Sequence, residues 1–113
     1  MTTRFAVLVD GDNIGAQQAA RIRQIALARG TPDIWRVYAD ATRQTTWDDT
    51  PGFRLVHAGT GKNAADVLLA IDAMELALRD GISGFLIATS DGDFSHVAQR
   101  LRETARCVIG VGE

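Results

Sequence analysis

The apolar residues of this 113-residue chain fall into short continuous runs, and stretches of helical periodicity separate those runs. A continuous apolar run of strand length is typical of a parallel sheet that is covered on both faces. Between the runs, apolar residues recur three and four positions apart, which indicates helices with one apolar face. The predicted strands are 5–9, 34–38, 53–57, 84–89 and 107–111. The predicted helices are 16–29, 63–79 and 94–103, with a short helix or ordered loop at 42–49.

The alternation of strands and helices predicts an α/β fold, a Rossmann-like three-layer sandwich around a five-stranded parallel sheet with right-handed crossovers. We expect the strand order 3-2-1-4-5, which places the first and fourth strands side by side at the centre. We expect one domain over residues 1–113, as an N-terminal piece of a longer protein. The longest helix has its large apolar residues at helical spacing, namely Val67, Leu68, Ile71, Met74 and Leu78.

Acidic residues come where a predicted strand ends or its following helix begins. Asp10 and Asp12 follow the first strand, Asp91 and Asp93 follow the fourth, and Asp66 lies in the first turn of the longest helix. In open α/β sheets, ligand sites form outside the carboxyl ends of the strands. Carboxylates gathered there repel one another unless a cation lies among them, and hard oxygen ligands suit Mg²⁺ or Mn²⁺. The pattern therefore predicts a divalent-metal site for phosphate chemistry.

Composition limits the class of protein. The net charge is −2, and there is one lysine, Lys62, so the strongly basic footprint of a simple nucleic-acid binder is missing. No apolar run approaches the length of a membrane span, and no secretory signal pattern is present. Cys107 is the single cysteine and cannot form an internal disulfide. We therefore expect a cytoplasmic protein that does not associate with a membrane.

Taken together, several stretches of the chain resemble the NYN domain, a branch of the PIN-like ribonucleases. No single stretch is decisive, but their order and spacing are specific, and they cover essentially the whole chain. They are 5–13, 36–40 with Trp47, 61–66 running into 70–74, 88–94 and 108–113. The resemblance implies a Rossmann-like fold and metal-dependent cleavage of RNA by clustered aspartates. In the branch that the chain resembles most, a small helical RNA-binding module of the LOTUS type often follows, and these 113 residues contain no such C-terminal domain.

The resemblance assigns catalysis and metal binding to four aspartates, namely Asp10, Asp66, Asp91 and Asp93. Asn13 matches the family's asparagine in the first motif and is a candidate for substrate binding. Asp12 and Asp40 are secondary positions near the site. Two further candidates come from the residues themselves: Lys62 binds a phosphate as a point charge or is simply solvated, and Ser90 contacts metal-bound water or hydrogen-bonds the backbone.

Structural roles compete with these functional ones. Asp10 is also suited to accepting backbone N–H groups in a turn, Asp93 to capping the following helix, and Asp66 to interacting with the helix dipole. Asp72 lies about 120° around the helix from Asp66, so we expect a structural hydrogen bond or an interface contact there instead of shared metal binding. For the two tryptophans, core packing competes with stacking on a base; they are Trp35 and Trp47.

The leading functional hypothesis is hydrolysis of RNA by one or two Mg²⁺ or Mn²⁺ ions, with Asp10 and Asp91 as inner ligands. Asp66 and Asp93 then hold a second ion or the water shell of the metal. One alternative is a phosphatase of the haloacid-dehalogenase type, with Asp10 as nucleophile and Asp12 as acid. The other is a catalytically inactive module that binds RNA or a protein partner, and homodimerisation through exposed helix faces also stays open.

Overall fold

The computed structural model describes residues 4–40, 42, 46–61, 63–90, 95–103 and 107–111. Its five strands form one parallel sheet in the order β3-β2-β1-β4-β5, which confirms the predicted order. The strands are β1 (Arg4–Asp10), β2 (Thr31–Ala39), β3 (Arg54–His57), β4 (Gly84–Ala88) and β5 (Cys107–Val111). The α-helices are α1 (Ala19–Arg29), α2 (Ala64–Arg79) and α3 (Ser95–Arg102), and two 3₁₀ helices cover Ala16–Gln18 and Thr46–Asp49.

The central strand β1 lies between β2 and β4, and all of its residues after Arg4 are buried. Its last residue, Asp10, is in register with Tyr38 of β2, and Val9 is in register with Ala88 of β4. The chain continues from β1 to β2 on one side and later returns to β4 on the other. The carboxyl ends of β1 and β4 therefore meet where the strand order reverses, which is where ligand sites form in such sheets.

Because side chains alternate along a strand, the sheet packs against a separate apolar core on each face. On the α1 face, Phe5, Val7 and Val9 of β1 pack with α1 and with Trp47, whose indole N–H donates to the carbonyl of Ile14 at 2.8 Å. On the opposite face, β1 packs against α2 and α3, through Ala6 and Leu8. Trp47 is 2% exposed, so it packs in the core and does not offer a stacking surface. The second tryptophan, Trp35, is half-buried and packs edge-on against Phe53, with ring centroids 5.4 Å apart.

Helix α2 buries a different face from the one that its largest side chains mark in the sequence. Val67, Ile71 and Leu78 are 56%, 57% and 67% exposed. The buried face is alanine-rich and consists of Ala65, Leu69, Ala73 and Leu76. Small side chains let the helix lie close to the sheet, and this close approach decides between two apolar stripes of similar periodicity. Homodimerisation through these exposed helix faces stays open.

No helix in the described part of the chain is both long and apolar enough to cross a membrane.

Candidate active site

The turn after β1 holds the first candidate residue in place. The backbone carbonyl of Asp10 accepts hydrogen bonds from the N–H groups of Asn13 at 3.2 Å and Ile14 at 2.8 Å. The N–H of Gly11 donates to the carbonyl of Tyr38 at 2.8 Å, which extends the β1–β2 ladder by one residue. A Cβ atom on Gly11 would lie 2.4 Å from Cγ1 of Val37, so the chain can pass β2 this closely only with glycine. The sequence Asp10-Gly11 thus ends the strand with a carboxylate held against its neighbours.

The two carboxylate oxygens of Asp10 have different surroundings. Oδ2 accepts hydrogen bonds from Nδ2 of Asn13 at 2.7 Å and from Oγ1 of Thr89 at 3.3 Å. Oδ1 is buried and has no hydrogen-bond partner among the described residues, and the whole residue is 0% exposed. A buried polar atom without a partner costs about 1–3 kcal/mol, and more when the group is charged. Such an atom in a native fold requires an explanation, and an absent ion is one of the recognised ones.

The electrostatics of Asp10 agree with a cation site. Burial raises the pKa of this carboxyl because it penalises the charged form, while the hydrogen bonds from Asn13 and Thr89 act in the opposite direction. The neighbouring charge of Asp12 raises this pKa further, while the backbone N–H of Asp12, which faces the carboxylate, lowers it. A divalent cation at Oδ1 would supply the missing partner and would favour the ionised carboxylate. A carboxylate oxygen is the kind of hard donor that Mg²⁺ or Mn²⁺ binds, and the described residues supply this one oxygen without a cluster of three potential ligands around it.

Asp12 and Asp40 connect the ends of the first two strands. Oδ1 of Asp12 accepts a hydrogen bond from the backbone N–H of Asp40 at 3.1 Å, and the Asp12 side chain is otherwise exposed. Asp40 is buried, and its Oδ1 accepts hydrogen bonds from the N–H and the hydroxyl of Thr42. These contacts give both carboxylates a structural role in the loops above β1 and β2.

The other predicted site residues lie at the expected edge of the sheet where the structure describes them. Asp66 occupies the first turn of α2 and is partly buried, and Ser90 is exposed just beyond β4. Three predicted residues lie outside the described part of the chain, namely Lys62, Asp91 and Asp93. Within the described ranges, no three His, Cys, Asp or Glu side chains come close enough together to hold a metal ion. The roles of Asp66 and Ser90 thus stay predictions.

One residue in direct contact with Asp10 was not singled out from the sequence. Thr89 follows β4 directly and donates its hydroxyl to Asp10, because β4 is the neighbour of β1 in the sheet. The predicted strand order places β4 beside β1, but the register observed between them, with Val9 opposite Ala88, is what brings Thr89 to Asp10.

A second polar cluster joins β2 to α2. The carboxylate of Asp72 accepts a hydrogen bond from the hydroxyl of Tyr38 at 2.7 Å and lies 3.5 Å from a guanidinium nitrogen of Arg36. This confirms the structural hydrogen bond predicted for Asp72. Tyr38 is fully buried, and burial together with this hydrogen bond raises its pKa, so its hydroxyl stays protonated. Tyr38 therefore acts as a hydrogen-bond donor that holds α2 on the sheet.

Comparisons with protein-family models and with solved structures support the fold described above. A family model described as "NYN domain" matches residues 4–113. A crystal structure of a protein of unknown function from Vibrio parahaemolyticus superposes with a TM-score of 0.68 at 21% sequence identity, covering 98% of this chain and 82% of that one. At this identity the likeness concerns the fold alone. No curated protein matches the chain.

Proposed function

We propose, because the chain belongs to the NYN domain family, that it is a metal-dependent ribonuclease acting at the carboxyl ends of β1 and β4. That family belongs to the PIN-like ribonuclease superfamily. The observation that carries the proposal is Oδ1 of Asp10, a buried carboxylate oxygen without a partner among the described residues. It lies at the switch point of the sheet, where a ligand is expected.

In this proposal Asp10 is an inner ligand of Mg²⁺ or Mn²⁺, together with Asp91. Asp66 and Asp93 hold a second ion or the water bound to the first. When bound, the metal lowers the pKa of a water molecule and neutralises negative charge on the attacked phosphate. Hydrolysis of this kind therefore requires no nucleophilic side chain of the protein.

Two neutral side chains prepare Asp10 for this role. Asn13 and Thr89 both donate to Oδ2, which orients the carboxylate and leaves Oδ1 for the metal. Replacing a residue that hydrogen-bonds a metal ligand usually lowers metal affinity or activity about 10–100-fold. Lys62 and Ser90 are the proposed contacts to the substrate phosphate.

The test is cleavage of a labelled single-stranded RNA by the purified protein in MnCl₂ or MgCl₂, with and without EDTA. We expect cleavage that EDTA abolishes and that Asp10→Asn lowers about 100-fold or more. Asp48→Asn is the matched control, because it removes one negative charge from an exposed position in the 3₁₀ helix Thr46–Asp49 and should leave cleavage unchanged. Undiminished, metal-independent cleavage by a folded Asp10→Asn protein would show that the activity does not come from this site.

A second candidate is a module that binds RNA or a protein partner without cleaving RNA, and the net charge of −2 is the feature that favours it over an active nuclease. Equal RNA affinity in MnCl₂ and in EDTA, with no product at long incubation, would select this candidate. The phosphatase alternative gains nothing from the family match.

A further inference from the structure

Two arginines lie side by side on the sheet surface next to the proposed active site. Arg36 of β2 and Arg54 of β3 are partners in the parallel β2–β3 register. Side chains of register partners point to the same face, and neighbouring strands are about 4.8 Å apart. The face is the one that α2 covers, because Tyr38 and Val56, each two residues further along their strands, both belong to the α2-side core.

Only part of the positive charge of these two arginines is neutralised by a carboxylate of the protein. Arg36 has its guanidinium 3.5 Å from the carboxylate of Asp72, and its side chain is 26% exposed. Arg54 is exposed and has no ion pair or hydrogen bond with any described residue through its side chain. Like charges on neighbouring strands are destabilising. Two neighbouring guanidinium groups, of which only that of Arg36 is paired with a carboxylate, are therefore an arrangement that an external anion would stabilise.

A cleft of about 290 Å³ opens beside these arginines. Its lining consists of Asp33, Ile34, Trp35, Arg36, Gly52 and Arg54. The one acidic side chain in this lining, that of Asp33, already forms an ion pair with Arg4 at 2.9 Å. The cleft thus offers positive charge at the side of the sheet where β3 is the edge strand.

The position of the pair relates it to the proposed metal site. Asp10 is in register with Tyr38, and Arg36 lies two residues earlier on the same strand. With a rise of about 3.3 Å per residue, Arg36 is roughly 7 Å below the end of β1 along the strand direction. Asp10 points to the same face, because it alternates with Leu8, which packs in the α2-side core. With neighbouring strands about 4.8 Å apart, the Cα atoms of Arg36 and Arg54 lie roughly 8 Å and 12 Å from that of Asp10, so their long side chains are within reach of a phosphate close to one bound at Asp10.

We propose that Arg36 and Arg54 form a clamp for the RNA backbone, gripping a phosphate next to the one that is cleaved. This rests on the proposed function in naming RNA as the ligand. Asp72 holds the guanidinium of Arg36, so little side-chain freedom is lost when a phosphate binds. Arg54 supplies the second, uncompensated charge. Arginine suits this role because its planar donor groups match phosphate oxygens.

The test uses the full chain carrying Asp10→Asn, so that RNA stays intact, and a fluorescein-labelled single-stranded RNA. We expect Arg54→Gln to weaken binding about tenfold, because charge-assisted hydrogen bonds to phosphate are lost, and the double Arg36→Gln/Arg54→Gln variant to weaken it further. The slope of log affinity against log salt should fall by about 0.7 for each lost phosphate contact. Arg29→Gln, an exposed change at the end of α1, is the matched control and should alter neither quantity.

Arg54→Lys keeps the charge and should restore most of the salt slope, whereas a merely structural role would show no such rescue. Thermal unfolding of each variant shows whether it is folded, and exposed Arg54 is the change that least disturbs packing. Unchanged affinity and salt slope in a folded Arg54→Gln protein would overturn the clamp, even if the wild type cleaves RNA. So would displacement of RNA by inorganic phosphate at equal concentration, which would identify a free-anion site. Loss of affinity in the arginine variants supports the clamp even if Mn²⁺ binding at Asp10, measured separately, is absent.

Discussion

Replacing Asp10 by asparagine should stabilise the metal-free protein while removing its metal response. The exchange keeps the shape of the side chain and its acceptor toward Asn13 and Thr89. It removes a charge from a residue that is 0% exposed and whose Oδ1 has no partner among the described residues. Burying a neutral amide costs less than burying a carboxylate, so the free energy of unfolding should rise.

The size of the effect follows from the surroundings of that oxygen. A buried group without a partner costs about 1–3 kcal/mol, more when it is charged. The new amide group brings N–H donors that must themselves be satisfied, so only part of this cost is recovered, and we expect a gain of about 1 kcal/mol. For a domain of this size, that corresponds to an increase in Tm of about 4 °C.

Binding of metal should reverse which of the two proteins has the higher melting temperature. A ligand present at 100 times its Kd stabilises the native state by about 2.7 kcal/mol. Wild type should gain this stability in MnCl₂, whereas Asp10→Asn should gain little. In EDTA the variant should therefore melt at the higher temperature, and in saturating MnCl₂ the wild type should.

The assay is thermal unfolding followed by circular dichroism in EDTA and in a series of MnCl₂ concentrations, with Asp48→Asn as the control for loss of a surface charge. If Asp10→Asn melts below both wild type and control in EDTA, then Oδ1 makes a favourable contact within the protein. In that case Oδ1 is stabilised by the protein itself, and its lack of a hydrogen-bond partner does not indicate a metal site.

Three further predictions test the surroundings of the site. Gly11→Ala should destabilise the protein by about 1–3 kcal/mol in urea unfolding, because the new Cβ would meet Val37, and an unchanged midpoint would mean that the turn shifts freely. Asn13→Ala removes a hydrogen bond that lowers the pKa of Asp10, so protons should compete better and the pH midpoint of Mn²⁺ binding should rise; an equal or lower midpoint contradicts this. Tyr38→Phe breaks the hydrogen bond to α2 and should cost about 1–2 kcal/mol in the same unfolding assay, with no change in Mn²⁺ affinity.

Most of the fold was predictable because short, largely apolar strands alternate with helices, and the interior of β1 and all of β4 are continuous apolar runs. The strand order follows from central β1 and from right-handed crossovers between parallel strands. The beginning of β2 was not predictable in the same way, since Pro32 and Asp33 are poor strand formers. Pro32 is in register with Phe5, but the register then shifts past Asp33, so that Ile34 pairs with Ala6. The buried face of α2 was not predictable for a different reason: the helix has two apolar stripes, and close packing on the sheet favours the one that contains Ala65 and Ala73.

The location of the candidate site was predictable, because it depends on which residues stand at the ends of the strands. Asp10 stands at the carboxyl end of the central strand, as the pattern of acidic residues indicated. What the sequence could not give is how Asp10 is held, because its hydrogen bond with Thr89 joins residues 79 positions apart. The pairing of Arg36 with Arg54 likewise depends on the register of β2 and β3, which no local pattern specifies.

The most direct test of the central claim is calorimetric titration of Mn²⁺ into the wild type and into Asp10→Asn/Asp91→Asn. The account predicts saturable binding to the wild type that disappears in the double variant while both proteins stay folded. Binding of equal affinity and stoichiometry in both would place the metal elsewhere and would contradict Asp10 as a metal ligand.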